Sequence, residues 1–248
     1  MEGYEPSTYG DRISPIYDEL YGEKFDTEGA VTFLAELAGE GPALELGVGT
    51  GRVAIPLAEQ GVKVRGIDAS EAMVERMRSK PGGDRITVAI QDFAQVGVDG
   101  SFALVYVVFN TLFALLTQDD QARCFQSVAE RLSPEGVFVI EAFVPDLARF
   151  DRYQQRVEVG DLSLDRVHLE VSRHDPVNQR IAGQHVVITE DGTTLHPVQL
   201  RYAWPSELDL MARLAGLGLR ERWGSWRRDP FNESSERHIS IYGRATEA

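Results

Sequence analysis

The chain is predicted to fold as a doubly wound α/β sheet, and three features of the sequence carry that expectation. Between Pro42 and Phe143 short apolar runs alternate with amphipathic segments. Strands separated by helices pair in parallel through right-handed crossovers. The run Phe102–Phe109 is almost continuously apolar, which suits a strand covered on both faces. The first strand runs into Gly47, Gly49 and Gly51, at the point where an open α/β sheet holds its ligands.

The elements follow in order. A helix before Pro42 turns Phe33, Leu34 and Leu37 inward, and residues 43–48 form the first strand. Residues 52–60 are a short helix closed by Gly61, and 62–67 the second strand. Ser70 caps a helix carrying Met73, Val74 and Met77 on its inner side, because its hydroxyl can accept from the helix's free amides. Residues 86–90 and 102–109 are the third and fourth strands. Thr117, Asp119 and Asp120 open a helix whose Phe125, Val128, Ala129 and Leu132 make one stripe. Ser133-Pro134-Glu135-Gly136 stops it, and 137–143 is the fifth strand.

The rhythm then changes. Runs at 167–172, 181–189 and 194–202 are rich in β-formers and are separated by Asp175-Pro176-Val177-Asn178 and by Asp191-Gly192. Links this short cannot hold crossover helices, so these strands are antiparallel. Residues 153–203 are read as a small β insert that covers substrate or contacts a second copy, with 1–152 and 204–248 as the core. A helix over 205–217 and strands at 219–226 and 238–244 complete the chain.

Composition narrows the function. The 248 residues carry 25 Lys+Arg against 39 Asp+Glu, a net charge of −14. No basic patch stands out against that field, so nucleic acid and anionic membranes are not expected partners. No apolar run reaches the ~18 residues of a membrane span. The first thirty residues lack a charged-then-apolar leader pattern, and a cytoplasmic location is expected. Cys124, the one cysteine, allows no disulfide within the chain and reads as a buried structural thiol.

The segment Glu45-Leu46-Gly47-Val48-Gly49-Thr50-Gly51-Arg52 points to a particular ligand. A dinucleotide fingerprint wants a third glycine where Arg52 stands. Glu45 beside the loop is badly placed for a pyrophosphate and well placed for an ammonium group. Asp68, at the end of the second strand, can accept from two ribose hydroxyls. Asp92 and Phe93, after the third strand, can receive an adenine. Each acid also has a plainer reading, as a helix-entry residue, a strand-end charge or a loop opener. Together they suit an adenosine bearing an amino acid rather than phosphates, namely S-adenosylmethionine.

These residues resemble the class I S-adenosylmethionine-dependent methyltransferases. The resemblance rests on Glu45–Gly51 as the glycine loop, Asp68 as the ribose acid, Met73 as an apolar adenine contact, and Gln91-Asp92-Phe93 as the adenine-edge segment. It implies a seven-stranded sheet of order 3-2-1-4-5-7-6 with the seventh strand antiparallel. The β insert is similar to that of small-molecule members such as amino-sugar N-methyltransferases. The implied reaction moves a methyl group to an O or N atom of a small acceptor. A binder that keeps the cofactor without turnover, and a nucleotide-dependent oxidoreductase, are the alternatives.

In-line methyl transfer needs positioning more than acid–base chemistry, since holding both reactants in line is worth ~7–11 kcal/mol. Asn110, ending the fourth strand, is a candidate contact to cofactor or acceptor. Glu141 inside the fifth strand needs a partner or a cavity. Tyr9, Tyr17 and Tyr21 make an N-terminal helical lid, with Tyr17 and Tyr21 one turn apart. His238, at the start of the last strand, is the candidate general base. His168, His174, His185 and His196 show no metal-ligand spacing, so no metal is expected. Exposed strand edges could support a homodimer.

Overall fold

The computed structural model describes residues 1–22 and 25–245. Two short helices, α1 (Thr8–Ile13) and α2 (Tyr17–Tyr21), precede α3 (Thr27–Ala38), which Asp26 caps by accepting from the Gly29 amide. Then come β1 (Ala43–Leu46), α4 (Ala54–Glu59), β2 (Val64–Asp68) and α5 (Glu71–Arg78). Ser70 caps α5 as expected, its hydroxyl accepting from the Met73 amide at 3.2 Å. Strands β3 (Thr87–Ile90) and β4 (Phe102–Val107) lead to α6 (Gln118–Arg131), capped by Thr117, and to β5 (Leu132–Phe143).

The second sheet comprises β6 (Gln155–Leu162), β7 (Arg166–Asp175), β8 (Arg180–Thr189) and β9 (Gly192–Arg201). Helix α7 (Pro205–Leu214) and strands β10 (Leu217–Trp223) and β11 (Arg237–Arg244) return to the first.

The main sheet has seven strands in the order β10-β11-β5-β4-β1-β2-β3, and β11 runs antiparallel to both neighbours. Counted over core strands alone, that is the expected 3-2-1-4-5-7-6. Strands β1 and β4 are buried nearly throughout because helices cover both faces. One core cluster includes Phe102, Phe113, Phe125, Phe138 and Tyr242, and the other includes Phe33, Leu57, Met77 and Tyr106.

The main departures from the sequence reading are at β5, α7 and the insert. Strand β5 begins at Leu132, directly after α6, because Ser133–Gly136 stays extended and forms an irregularity in the pairing with β4 rather than a break. Helix α7 stops at Leu214, where Gly216 takes a φ of +74° and turns the chain into β10. The insert has four strands, not three. Strand β6 escaped notice because its side chains are exposed and mostly polar, leaving only Val157 and Val159 as β signals.

The two turns read from sequence set the register of the second sheet. Asp175 accepts from the amides of Val177 and Asn178, closing β7 onto β8. Thr189 pairs with Gly192 across the second hairpin. No helix among the described residues is long and apolar enough to cross a membrane.

Candidate active site

The glycine loop leaves β1 with three left-handed glycines, at φ +73° for Gly47, +54° for Gly49 and +75° for Gly51. Asp68 ends β2 beside it. One carboxylate oxygen accepts from the Gly49 amide at 2.7 Å and the other from the Ser70 amide at 2.9 Å. Burial raises the Asp68 pKa, and these amide bonds oppose that shift. Each oxygen has a further lone pair to offer a ligand.

Strand β4 ends in a strained turn. Phe109 and Asn110 take φ of +58° and +64°. Phenylalanine pays for that conformation and asparagine tolerates it. Neighbouring β5 holds both residues in place. The Asn110 side-chain oxygen accepts from the Phe143 amide at 2.7 Å, and the Phe109 amide donates to Glu141 at 3.0 Å. Glu141 also accepts from the Trp226 indole at 3.1 Å, and burial pushes its pKa up.

A cavity of about 390 Å³ lies over these strand ends. Its floor is Gly47, Gly49, Asp68, Met73, Phe93 and Asn110, and Tyr9, Tyr17 and Tyr21 line it from the N-terminal helices. The far wall is one face of the insert, including Glu170, Ser172, Gly183, His185 and Val198. Phe109, Asn110, Phe143, Arg149 and Arg156 also border a neighbouring, more polar cavity that reaches Glu141 and Glu236.

The N-terminal helices are fastened on three sides. Asp18 accepts from the Thr50 hydroxyl at 2.7 Å and from Lys80 at 2.9 Å, which ties α2 to the glycine loop and α5. The Ser70 hydroxyl donates to Asp11 at 2.7 Å. His196 donates to the Arg12 carbonyl at 2.8 Å, and the Tyr21 hydroxyl lies 3.1 Å from His185 Nε2. Glu19 pairs with Arg166 on β7.

Nine expected site residues therefore meet in one space, and five do not. Glu45 is buried two residues before the loop and does not line the cavity. The Tyr106 hydroxyl donates to it at 2.9 Å, and burial pushes its pKa to about 8. Gly51 serves packing, since a methyl there would sit 2.5 Å from Met77 Cγ. Asp92 turns away to accept from the Ala94 amide at 2.9 Å, and its neighbour Phe93 takes the cavity position. Glu141 lines only the neighbouring cavity.

His238 requires the largest correction. It is fully buried against Ser240, 2.8 Å from the hydroxyl, and faces Phe231 rather than either of these cavities. Burial, with Arg222 nearby, lowers its pKa to about 3. A base so weak and so enclosed has no route to an acceptor. Cys124 is buried as expected, with its thiol pKa raised.

Sequence reading missed the contribution of the insert. Strands β7, β8 and β9 pair so that His168, Glu170, His174, His185 and His196 share one face. His168, Glu170 and His185 each offer a ligand atom, and these lie within 4.8 Å of one another. The hairpin turns were legible, and counting pairs outward from them would have found this convergence.

The floor fits a nucleoside: glycine backbone for close approach, one carboxylate for ribose, and Met73 and Phe93 for a flat base. Known proteins agree. A family model described as a methyltransferase domain matches residues 43–136. The structure of the CcbJ methyltransferase from Streptomyces caelestis is 41% identical, superposes with a TM-score of 0.91, and is covered over 100% of its chain by 98% of this one. The cypemycin N-terminal methyltransferase of a Streptomyces species is 28% identical over 97% of this chain and 99% of its own. The sugar N-methyltransferase KedS8 from Streptoalloteichus shares the fold at a TM-score of 0.68 and 18% identity, with 99% of each chain covered. On its sequence, its sheet order and this likeness across its length, the chain belongs to the S-adenosylmethionine-dependent methyltransferases.

Proposed function

We propose that this methyltransferase acts on an O or N atom of a small acceptor held under the N-terminal helices and the insert. One observation carries the reading: cofactor-type and acceptor-type residues line a single cavity, with Asp68 and Gly49 at one end and Tyr21 and His185 at the other. The cofactor, when bound, supplies a sulfonium-activated methyl group. Asp68 then accepts from the ribose hydroxyls, and Met73 and Phe93 flank the adenine.

The chain's remaining task is alignment. Tyr9, Tyr17 and Tyr21 hold the acceptor in line and keep bulk water out, and their high pKa values keep them neutral donors. Proximity supplies most of the rate, so no obligatory base is assigned. An amine acceptor is favoured over a hydroxyl because it attacks unaided once neutral. The name of the cypemycin relative points the same way. A cytoplasmic location and a homodimer formed through exposed edge strands belong to the same reading.

The test is calorimetry with S-adenosylhomocysteine, followed by transfer of labelled methyl from S-adenosylmethionine to a panel of small amines, amino sugars, hydroxyl compounds and short peptides. Cofactor-product binding together with labelling of an amine supports the reading. Binding without labelling of any panel member favours the non-catalytic alternative, and absence of binding overturns both.

A further inference from the structure

We infer that the inner face of the insert carries a divalent transition-metal site, with zinc the best match, built from His168 Nε2, His185 Nδ1 and Glu170 Oε1. The two imidazole nitrogens are 3.2 Å apart, and the Glu170 oxygen is 3.7 Å from His185 Nδ1. Zinc binds imidazole nitrogen at about 2.0–2.1 Å in a tetrahedral shell, which requires ligand nitrogens about 3.3 Å apart. The spacing of the pair already meets that requirement, and the carboxylate has only to swing inward.

The setting matches what such an ion needs. His168 and His185 are buried, and Glu170 is half-exposed toward the cavity. All three stand on adjacent paired strands, where Glu170 lies directly opposite His185, so the backbone fixes their approach. His185 Nε2 meets the Tyr21 hydroxyl at 3.1 Å, an outer partner of the kind that fixes a ligand's tautomer. Directly opposite His185 on the same face, His196 spends its Nδ1–H on the Arg12 carbonyl, and its Nε2 is buried without a hydrogen-bond partner among the described residues.

Three protein ligands leave a fourth position open, the arrangement of a metal that engages a small molecule rather than one that only braces a fold. Glu170 and His185 border the acceptor cavity, so that position is available to an acceptor oxygen or nitrogen. Binding balances without a redox change. One nitrogen of the pair carries the shared hydrogen, the ion takes its place, and the hydrogen moves to the other nitrogen of the same ring. On His185 that nitrogen then donates to the Tyr21 oxygen.

Only the ion's role toward an acceptor rests on the methyltransferase reading; its binding does not. The test uses the full chain, stripped with chelator and dialysed. It is titrated with zinc chloride by calorimetry and with cobalt chloride by visible absorption. One equivalent per chain with micromolar or tighter affinity, together with the visible bands of low-coordinate cobalt, is expected. His168→Gln and Glu170→Gln should each lose that saturable binding, and Tyr21→Phe should weaken it by about 10–100-fold. S-adenosylhomocysteine affinity, unchanged in the His168 and Glu170 variants, reports an intact fold. The site is overturned if the wild-type chain takes up no stoichiometric zinc, or if the glutamine variants bind it as well as wild type. Either result leaves cofactor binding, and hence the methyltransferase assignment, standing.

Discussion

The Asp68 carboxylate accepts a 2.7 Å hydrogen bond from the Gly49 amide, joining the end of β2 to the loop that leaves β1. The residue offered to the ribose therefore also fixes the shape of the glycine loop. Asp68→Ala removes both contributions and should weaken S-adenosylhomocysteine binding by about 1.5–3 kcal/mol, the range for a hydrogen bond to a charged group. Asp68→Asn should fall between the two. Calorimetry decides, and an unchanged dissociation constant for the alanine variant removes Asp68 from the ribose.

Two glycines of the loop should separate by mutation. A methyl at Gly51 would lie 2.5 Å from Met77 Cγ and 2.9 Å from Ile55, in a backbone with φ +75°. Gly51→Ala should cost roughly 2–4 kcal/mol through overpacking and left-handed strain together. At Gly49 the nearest atom would be Met73 Cε at 3.4 Å, so only the strain of φ +54° opposes alanine. Gly49→Ala should cost about 1–2 kcal/mol and weaken cofactor binding, since Gly49 lines the cavity. Thermal melts beside cofactor titrations would show the contrast, and equal stability losses would contradict it.

Glu45 should make stability depend on pH. Its folded pKa of about 8 exceeds the ordinary carboxylate value of 4.5 because burial disfavours the charge. The folded state then binds a proton that the unfolded chain releases. The stabilising contribution is complete below about 4.5 and is lost as pH rises toward 8. Glu45→Gln keeps an acceptor for the Tyr106 hydroxyl and removes the titration. Melting temperatures between pH 5 and 9 should fall more steeply for wild type than for this variant; parallel curves would count against the protonated form.

Replacing His238 should affect stability alone. Its side chain is buried against Ser240 and Phe231 and stays neutral down to about pH 3. His238→Ala should cost about 2–4 kcal/mol, as other truncations of large buried side chains do. Cofactor affinity and the pH profile of methyl transfer should not change. A slower turnover with unchanged melting would restore the histidine to the chemistry.

Asp18 is the clasp of the N-terminal helices, holding Thr50 and Lys80 at once. Asp18→Ala should speed amide hydrogen exchange across residues 8–21 and shorten the residence time of S-adenosylhomocysteine. Exchange unchanged from wild type would mean that the contacts to the insert suffice.

Features governed by local rules were legible in the sequence. Ser70 and Thr117 announced their helices because a hydroxyl before an apolar stripe has one obvious use, and the glycines between Glu45 and Arg52 located the floor of the cavity. Errors arose where spacing stood in for direction. Glu45, Asp92 and His238 each occupy the expected strand end, yet each side chain has a nearer partner in Tyr106, the Ala94 amide or Ser240. Non-local pairing hid the rest. His168 and His185 are 17 positions apart and meet only because the turn at 175–178 folds β7 back onto β8.

Residues 155–201 supply one wall of the cavity and none of the contacts proposed for the nucleoside. On the proposed placement of the acceptor, heritable drift confined to those hairpins exchanges one recipient molecule for another while the methyl donor goes on being recognised as before. Gene duplication followed by divergence of this stretch alone is a short evolutionary path from one methyltransferase to the next.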